Sequence, residues 1–542
     1  MAETTDFNII LIGFSGSGKS LVARGVARRL GWQAIDTDDE IVKLAGKPIP
    51  DIFTQEGEER FREMEKQVLQ QACAGSNKVI ATGGGAILNE DNQESMFRSG
   101  VVICLEAKPQ TINRRLLPNT GGDNGKQIRP LLMADDPMQR IEQLKSSRQP
   151  YYAMADWTIH TDELNLEQVA DEVVRVSRYL TQPTCQVTTA TQQYSIFVGR
   201  GWLRRLGSEM RRVGLSGSVY IISDEIVFHL YGQAVSQILD DAGFKAVSLV
   251  VPPGEATKSL DAATTIYDSL VEHHAERGDS VVALGGGMVG DLAGFIAATY
   301  LRGVPFVQVP TSLIAMVDAS IGGKVAVNHP KAKNIIGAFY QPRLVLADTG
   351  VLASLPKREL ISGWAEVIKH GLILDADYLC FLEQGADKLM RLDSEATTVA
   401  VARSAAIKAQ IVSEDEKEQG RRTLLNYGHT VGHGLEAAGE YNRFLHGEAV
   451  AIGMMAAAYI SQRLGMIPAE LVERQGCLLG KLGLPTHCTD IDKQAVLTAM
   501  ELDKKVQKKA TRWVLLEGLG QAVVRQDVPH NLVVAALDEV IQ

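Results

Sequence analysis

The stretch FNIILIGFSGSGKS, residues 7–20, decides the fold of the N-terminal part of the chain. FNIILIG reads as a short apolar strand, and Gly13-Phe-Ser-Gly-Ser-Gly-Lys19-Ser20 satisfies G-x-x-x-x-G-K-[ST] in the strand, loop and helix context that the pattern requires. Gly13, Gly16, Ser17 and Gly18 let backbone N–H groups curl around phosphate oxygens, and the helix that follows points its positive end at them. Lys19 then reaches the outer phosphates and Ser20 holds magnesium. The loop predicts a nucleoside triphosphate but does not name the acceptor.

Working outward, Ile35-Asp-Thr-Asp38 reads as a short strand ending in two acidic residues on one face. Asp36 is placed to assist the magnesium and Asp38 to orient or deprotonate a hydroxyl; a solvated turn or a helix cap is the competing reading. Arg62 lies on the amphipathic helix FREMEKQVL, and Gly83, Gly84 and Gly85 follow a strand in ATGGGAIL. An arginine with a glycine triplet suits an anionic polyol lying close to the backbone.

At 542 residues the chain is too long for one ordinary core. Hydrophobic residues at 45% and charged residues at 22% describe globular material. A formal charge of -10 argues against general nucleic-acid binding, and no apolar run approaches the roughly 20 residues that span a bilayer. The start MAETTDFNIILIG lacks a basic, then apolar leader, so a cytoplasmic protein is expected. Six scattered cysteines suit reduced thiols and offer no sulfur zinc knuckle, so any structural or catalytic metal should use histidine and carboxylate. Strand signals FNIILIG, KVIATGG, GVVICLEA and DWTIHT alternate with helical segments over residues 7–178, the pattern of a parallel sheet covered by helices. The Thr- and Gln-rich TQPTCQVTTATQQ breaks that rhythm, and a linker is expected at 179–192. YSIFVGRGW, SVYIISDE, AVSLVVPPGE and DSVVALGGG begin a second α/β series over 193–353, and helical patterns dominate 354–542.

GFSGSGKS, DTD, FR, GGG, IRPLL and SSRQPYY occur in the order found in shikimate kinases, and the resemblance covers residues 7–178. It implies a P-loop, nucleoside-kinase-like parallel sheet in a domain at 1–178 and ATP-dependent phosphorylation of a shikimate hydroxyl with Mg2+. It further implies that Asp38, Arg62 and Arg148 hold the substrate's hydroxyls and carboxylate, that Gly84 and Gly85 line the pocket, and that Arg129 in a glycine-rich lid meets the phosphates. Gluconate kinase or another small-molecule kinase of the same fold is the alternative.

In the second half, LLNYGHTVGHGLE places His429 and His433 on one helical face, as a metal site on a helix requires. Two histidines do not complete a coordination sphere, and Glu366 in WAEVIKHG and His446 in FLHGEAVAIGM are the further candidates. Lys324, Lys333, Lys369, Lys408 and Arg422 add more cations than a zinc site needs, which suits a phosphorylated sugar acid. Gly285, Gly287 and Gly290 with Asp291 follow a strand and match G-x-G-x-x-G, a dinucleotide signal. The acidic residue expected about 20 positions later is missing, so Asp224 at the end of VYIISD is the candidate ribose contact.

PPGEATKS, GGGMVGDLAGF, YLRGVPFVQVPTSLIAMVDASIGGKVAVN, KNIIGAFYQP, AEVIKHG, LLNYGHTVGHGLE and LHGEAVAIGM closely resemble 3-dehydroquinate synthase over residues 193–542. The resemblance implies an α/β NAD-binding domain, then a mostly helical metal and substrate domain, with Glu366, His429 and His446 as ligands of Zn2+ or Co2+ and His433 in the substrate pocket. It implies that NAD takes hydride from 3-deoxy-arabino-heptulosonate 7-phosphate, phosphate leaves by β-elimination, hydride returns, and an aldol step closes the carbocycle. Lys324, Asn334, Arg422 and a partner subunit's Arg302 would hold the phosphate, Lys369 and Asn426 the ring and carboxylate, with Asp318, Lys408 and His433 completing the pocket. NAD would meet Asp224, Glu255, Lys258, Gly287, Asp291, Thr311, Ser312, Lys324, Lys333, Asp348 and Ser354. A homodimer through this module is expected. Another sugar phosphate cyclase, a metal-dependent polyol dehydrogenase, or a scaffold with a dead site are the alternatives.

Overall fold

The computed structural model describes residues 7–116, 136–190, 192–507 and 512–542. The chain forms two compact units that divide after Gln182. Among the described residues no helix is long and apolar enough to cross a membrane.

In the first unit β1 (Asn8–Ile12), β2 (Gln33–Asp36), β3 (Lys78–Ala81), β4 (Gly100–Glu106) and β5 (Trp157–His160) form one parallel sheet in the order β2-β3-β1-β4-β5. The continuous apolar run of β1 is buried throughout, as a central strand covered on both faces requires. Ile10 pairs with Ile80 of β3 on one side and Val102 of β4 on the other. The strand order changes direction at β1, so the loops leaving β1, β2 and β3 gather at one edge, where open parallel sheets bind ligands. The N-terminal expectation of a helix-covered parallel sheet holds.

The second unit contains a seven-stranded sheet, order β6-β7-β14-β11-β10-β8-β9. Its strands are β6 (Cys185–Thr188), β7 (Gln193–Gly199), β8 (Ser218–Asp224), β9 (Lys245–Val251), β10 (Ser280–Gly285), β11 (Phe306–Pro310) and β14 (Leu344–Asp348). All pairs are parallel except β6 with β7. The hairpin β12 (Lys324–His329) and β13 (Ala332–Phe339) stands apart from the sheet. Val325 and Val327 of that hairpin and the apolar helix Gly287–Thr299 share one core with Tyr220, Ile222, Val281 and Ala283 of the sheet.

One expectation is corrected. The supposed linker contains β6, whose Val187 is buried while Gln186 and Thr188 face outward; an edge strand with one solvated face has the polar composition that was read as linker. The C-terminal region is mostly helical as expected, and also holds β15 (Trp513–Gly518) and β16 (Gln521–Arg525), an antiparallel hairpin whose apolar run is too short for periodicity to separate strand from helix. Helices still dominate there. Lys357–Leu374 and His446–Arg463 are buried over most of their length, so Glu366, Lys369 and His370 in the first are withdrawn from water.

Candidate active sites

In the first unit the loop after β1 requires glycine. Gly13, Gly16 and Gly18 have φ of 135°, 88° and 96°, and a Cβ on Gly13 would overlap the Leu105 carbonyl. Lys19, buried at the start of helix Lys19–Leu30, folds back so that Nζ donates to the Gly13 and Phe14 carbonyls at 2.8 and 3.0 Å. Ser17 is buried in the same loop, and Ser20 and Asp36 line a common cavity.

The two aspartates do not share a strand face. Asp36 ends β2 and caps the next helix, its Oδ1 accepting from the Asp38 N–H at 3.0 Å, whereas Asp38 sits in the first turn of that helix, Thr37–Ala45. A cap and a strand end coincide here because the helix starts where β2 stops. Between them Thr37 Oγ1 accepts from the Gly83 N–H at 3.1 Å, fastening this corner to the glycine triplet. The triplet keeps the pocket open at close quarters: a Cβ on Gly83 would lie 3.1 Å from Asp38 Oδ1, and one on Gly85 2.9 Å from Arg62 Nη1. The Gly84 carbonyl accepts from Arg148 Nη1 at 3.2 Å and from the Tyr152 hydroxyl at 2.7 Å. Asp38, Arg62, Gly84, Gly85 and Arg148 therefore converge; Arg129 lies outside the described residues. The sequence reading missed Glu65, which is buried, accepts from Arg62 Nη1 at 2.7 Å and fixes where that guanidinium points. Burial pushes the Glu65 carboxyl up, opposed by Arg62 and reinforced by Asp38. Its position three residues beyond Arg62 on the same helix was the available signal.

In the second unit Glu366 lies in the middle of helix Lys357–Leu374, and His429 and His446 are the first residues of helices His429–Ala438 and His446–Arg463. Glycines bring the three together. A Cβ on Gly447 would overlap the Ser362 carbonyl, one turn before Glu366, and one on Gly453 would overlap the Gly428 carbonyl next to His429. His429 Nε2 and His446 Nε2 each stand 3.8 Å from Glu366 Oε1. Both Glu366 oxygens are buried without a hydrogen bond, although Oε2 is ion-paired with the equally buried Lys369. A buried carboxylate oxygen with no hydrogen bond, facing two imidazole nitrogens, is the donor set a divalent cation satisfies, so these residues fit Zn2+ or Co2+. His429 Nδ1 faces the Tyr427 carbonyl at 3.2 Å, which leaves Nε2 for the cation. Burial, with Lys369 and the other two imidazoles adding, drives His429 well below its usual value and keeps it neutral, the form that ligates.

A second grouping, His433, Glu436 and His446, shares one member with the first. His433 is exposed, with ring centroids 5.3 Å from His429 and 6.2 Å from His446. Of the histidine pair in LLNYGHTVGHGLE, His429 faces Glu366 and His433 stands at the rim.

The predicted cations are gathered as well. Lys408 Nζ donates to the Asp318 carbonyl at 2.7 Å and ion-pairs with its carboxylate. Burial alone would raise Asp318, but Lys408 and Lys369 hold it well below the usual carboxylate range. Lys324 pairs with Glu418, which also accepts from Asn426 Nδ2 at 2.7 Å. Burial, then Arg422 and Lys408, lower the Lys324 ammonium to about 8. Arg422 is buried, donating to the Glu416 carbonyl at 2.5 Å and the Gly322 carbonyl at 3.3 Å. Tyr194, also missed from sequence, accepts from the Gly322 N–H at 3.1 Å through its hydroxyl and so supports the same corner. Arg302 is exposed with φ of 66°, beside Leu301 at 48°, two consecutive residues in the left-handed region.

The predicted NAD residues fall into distinct surroundings. Gly287 opens helix Gly287–Thr299 after β10, and Thr311 and Ser312 follow the neighbouring β11. Lys258, buried, joins Asp291 to Asn334, the latter at 2.5 Å, so residues expected at NAD and at phosphate belong to one network. Burial, opposed by Lys258, pushes the Asp291 carboxyl up to about 6. Glu255 accepts from Asn328 at 2.8 Å, Lys333 lies over the Tyr441 ring at 4.1 Å, and Ser354 meets the Tyr231 hydroxyl at 2.7 Å. Asp224 ends β8, and its Oδ1 caps the next helix through the Ile226 and Val227 N–H groups, both at 3.0 Å. Asp348 accepts from the Gly201, Leu203 and Gly350 N–H groups at 3.0, 2.9 and 2.9 Å, so its carboxylate also ties the turn after β7 to the end of β14.

The shikimate kinase family profile matches residues 15–178, and the profiles of the 3-dehydroquinate synthase N-terminal and C-terminal regions match 248–362 and 363–506. The 3-dehydroquinate synthase of Citrifermentans bemidjiense is 47% identical over 335 residues, 62% of this chain and 92% of its own. A crystal structure of 2-deoxy-scyllo-inosose synthase complexed with carbaglucose-6-phosphate, NAD+ and Co2+ is 28% identical with a TM-score of 0.60, covering 66% of this chain and 99% of that one. The 2-epi-5-epi-valiolone synthase of Streptomyces hygroscopicus subsp. jinggangensis, with NAD+ and Zn2+ bound, is also 28% identical with a TM-score of 0.59, covering 64% and 96%. The chain belongs to the 3-dehydroquinate synthase family and carries ahead of that module a domain of the shikimate kinase family.

Proposed function

We propose that each cluster is the active centre of one shikimate-pathway reaction: phosphorylation of shikimate by ATP to shikimate 3-phosphate, and conversion of 3-deoxy-arabino-heptulosonate 7-phosphate to 3-dehydroquinate and phosphate. In the kinase centre the backbone of Gly13, Gly16, Ser17 and Gly18 cradles the ATP phosphates, and Lys19 exchanges its loop carbonyls for the outer phosphate oxygens. Ser20 and Asp36 hold Mg2+, and Arg129 belongs to the same phosphate set. Arg62 and Arg148 take the shikimate carboxylate beside Gly84 and Gly85, and Asp38 accepts the hydrogen bond of the attacking hydroxyl.

In the synthase centre Glu366, His429 and His446 hold the metal ion. Asp224, Glu255, Lys258, Gly287, Asp291, Thr311, Ser312, Lys333, Asp348 and Ser354 surround NAD. When bound, NAD accepts and returns hydride and the ion polarises the reacting ring hydroxyl. Lys324, Asn334 and Arg422 hold the phosphate and stabilise the charge it carries away. Arg302 of a second copy completes this set in a homodimer, for which its exposed, strained loop speaks. Lys369 and Asn426 orient the ring and carboxylate, and Asp318, Lys408 and rim-placed His433 complete the polar pocket. A cytoplasmic location is part of this reading.

The observation that carries the reading is the convergence of the Glu366, His429 and His446 donor atoms, with Lys369 paired to Glu366 and acting, together with Lys408, on Asp318. Purified protein given the heptulosonate phosphate, NAD and zinc should release phosphate with a product of 3-dehydroquinate mass. The same preparation given shikimate and ATP should form ADP. Net NADH accumulation without phosphate would instead make the second module a dehydrogenase.

A further inference from the structure

His446 starts its helix, so no preceding helical turn packs against its ring. Two contacts set the ring's direction: Nε2 stands 3.8 Å from Glu366 Oε1, and Nδ1 stands 3.2 Å from Glu436 Oε1. Glu436 lies seven residues, about two turns, beyond His429 on the same helix, so that helix carries one ligand and also the carboxylate behind the other. Its side chain is 16% exposed. With Glu436 Oε1 at 3.2 Å as the acceptor, the His446 proton resides on Nδ1 and the Nε2 lone pair is left toward Glu366. His446 belongs to both possible metal groupings, one with Glu366 and His429 and one with His433 and Glu436.

We propose that Glu436 is a positioning residue of the metal centre: by accepting the Nδ1–H of His446 it fixes the tautomer and ring direction of that ligand and thereby sets the affinity for the ion. The proposal rests on the reading that Glu366, His429 and His446 hold the cation. Loss of such an orienting carboxylate costs on the order of 10–100-fold in metal affinity.

The test is zinc binding to metal-free full-length protein by competition with a chromophoric chelator, with the visible absorption of the Co2+-loaded protein as a second readout. Glu436→Gln and Glu436→Ala should weaken zinc binding by about 10-fold and about 100-fold. Both should shift the Co2+ bands, while Glu436→Asp recovers part of the affinity. NAD binding and the melting temperature of the metal-free protein should be unchanged in Glu436→Gln. If Glu436→Ala does not fold, Glu436→Gln decides. Zinc affinity and Co2+ bands equal to those of the unaltered protein would overturn the proposal. So would a loss in His433→Ala as large as in Glu436→Gln, because Glu436 would then be a direct ligand of the other grouping. Intact zinc binding in Glu366→Gln would show that the metal reading itself has failed.

Discussion

Glu366 and Lys369, one turn apart on a helix buried on nearly all sides, form a charge pair with almost no access to water. Such a pair contributes little net stability, yet removing one partner strands the other and costs about 3–5 kcal/mol. Lys369→Met should therefore lower the unfolding temperature of the metal-free synthase module, and zinc should restore much of the loss because it supplies the missing positive charge and binds only the folded state. Equal melting temperatures in metal-free Lys369→Met and unaltered protein would refute this. Lys324 gives a pH prediction. Its ammonium is lowered to about 8, so the charge is present below that pH and lost above it. The KM for the phosphorylated substrate should rise as pH passes through about 8, and Lys324→Arg, which keeps its charge, should move that limb to higher pH. A KM profile insensitive to this exchange would remove Lys324 from the phosphate site.

The elements that position the metal ligands depend on close backbone approach. Gly447 allows the N-terminus of helix His446–Arg463 to touch helix Lys357–Leu374 at Ser362, and its N–H donates to Ser362 Oγ at 3.0 Å. Gly447→Ala should push His446 away from Glu366, weaken zinc binding and destabilise the module by about 1–3 kcal/mol, the usual range for an overpacked contact. Calorimetry with and without zinc measures both effects. The strands of both sheets and the phosphate loop were legible in the sequence because apolar strands and the P-loop have fixed spacings that local rules decode, whereas the set Glu366, His429 and His446 followed from the resemblance to 3-dehydroquinate synthase. Other features were not. β6 was hidden because only Val187 of its four residues faces the core. Glu436 and Tyr194 were hidden because a carboxylate or hydroxyl on a helix or strand has no local pattern separating solvent from a partner further along the chain, and Glu65, although three residues from Arg62, because that spacing alone does not tell a buried pair from a solvated one. The strand-end reading of Asp36 and Asp38 failed by one residue, as the chain turns into a helix between them.

At the scale of the whole molecule, the kinase cluster and the synthase cluster lie in different compact units and share no residue. The two reactions are not consecutive, so nothing is gained by passing an intermediate between them. Lys19→Ala should abolish ADP formation from ATP and shikimate while phosphate release from the heptulosonate phosphate continues, and His429→Ala should do the reverse. Loss of both activities in either folded variant would contradict two independent centres. If Glu366, His429 and His446 share one cleft with NAD and the phosphorylated substrate, a crystal structure of the protein with NAD and zinc should place zinc on these three side chains with the nicotinamide ring beside it; a nicotinamide bound far from that cluster would contradict the shared cleft.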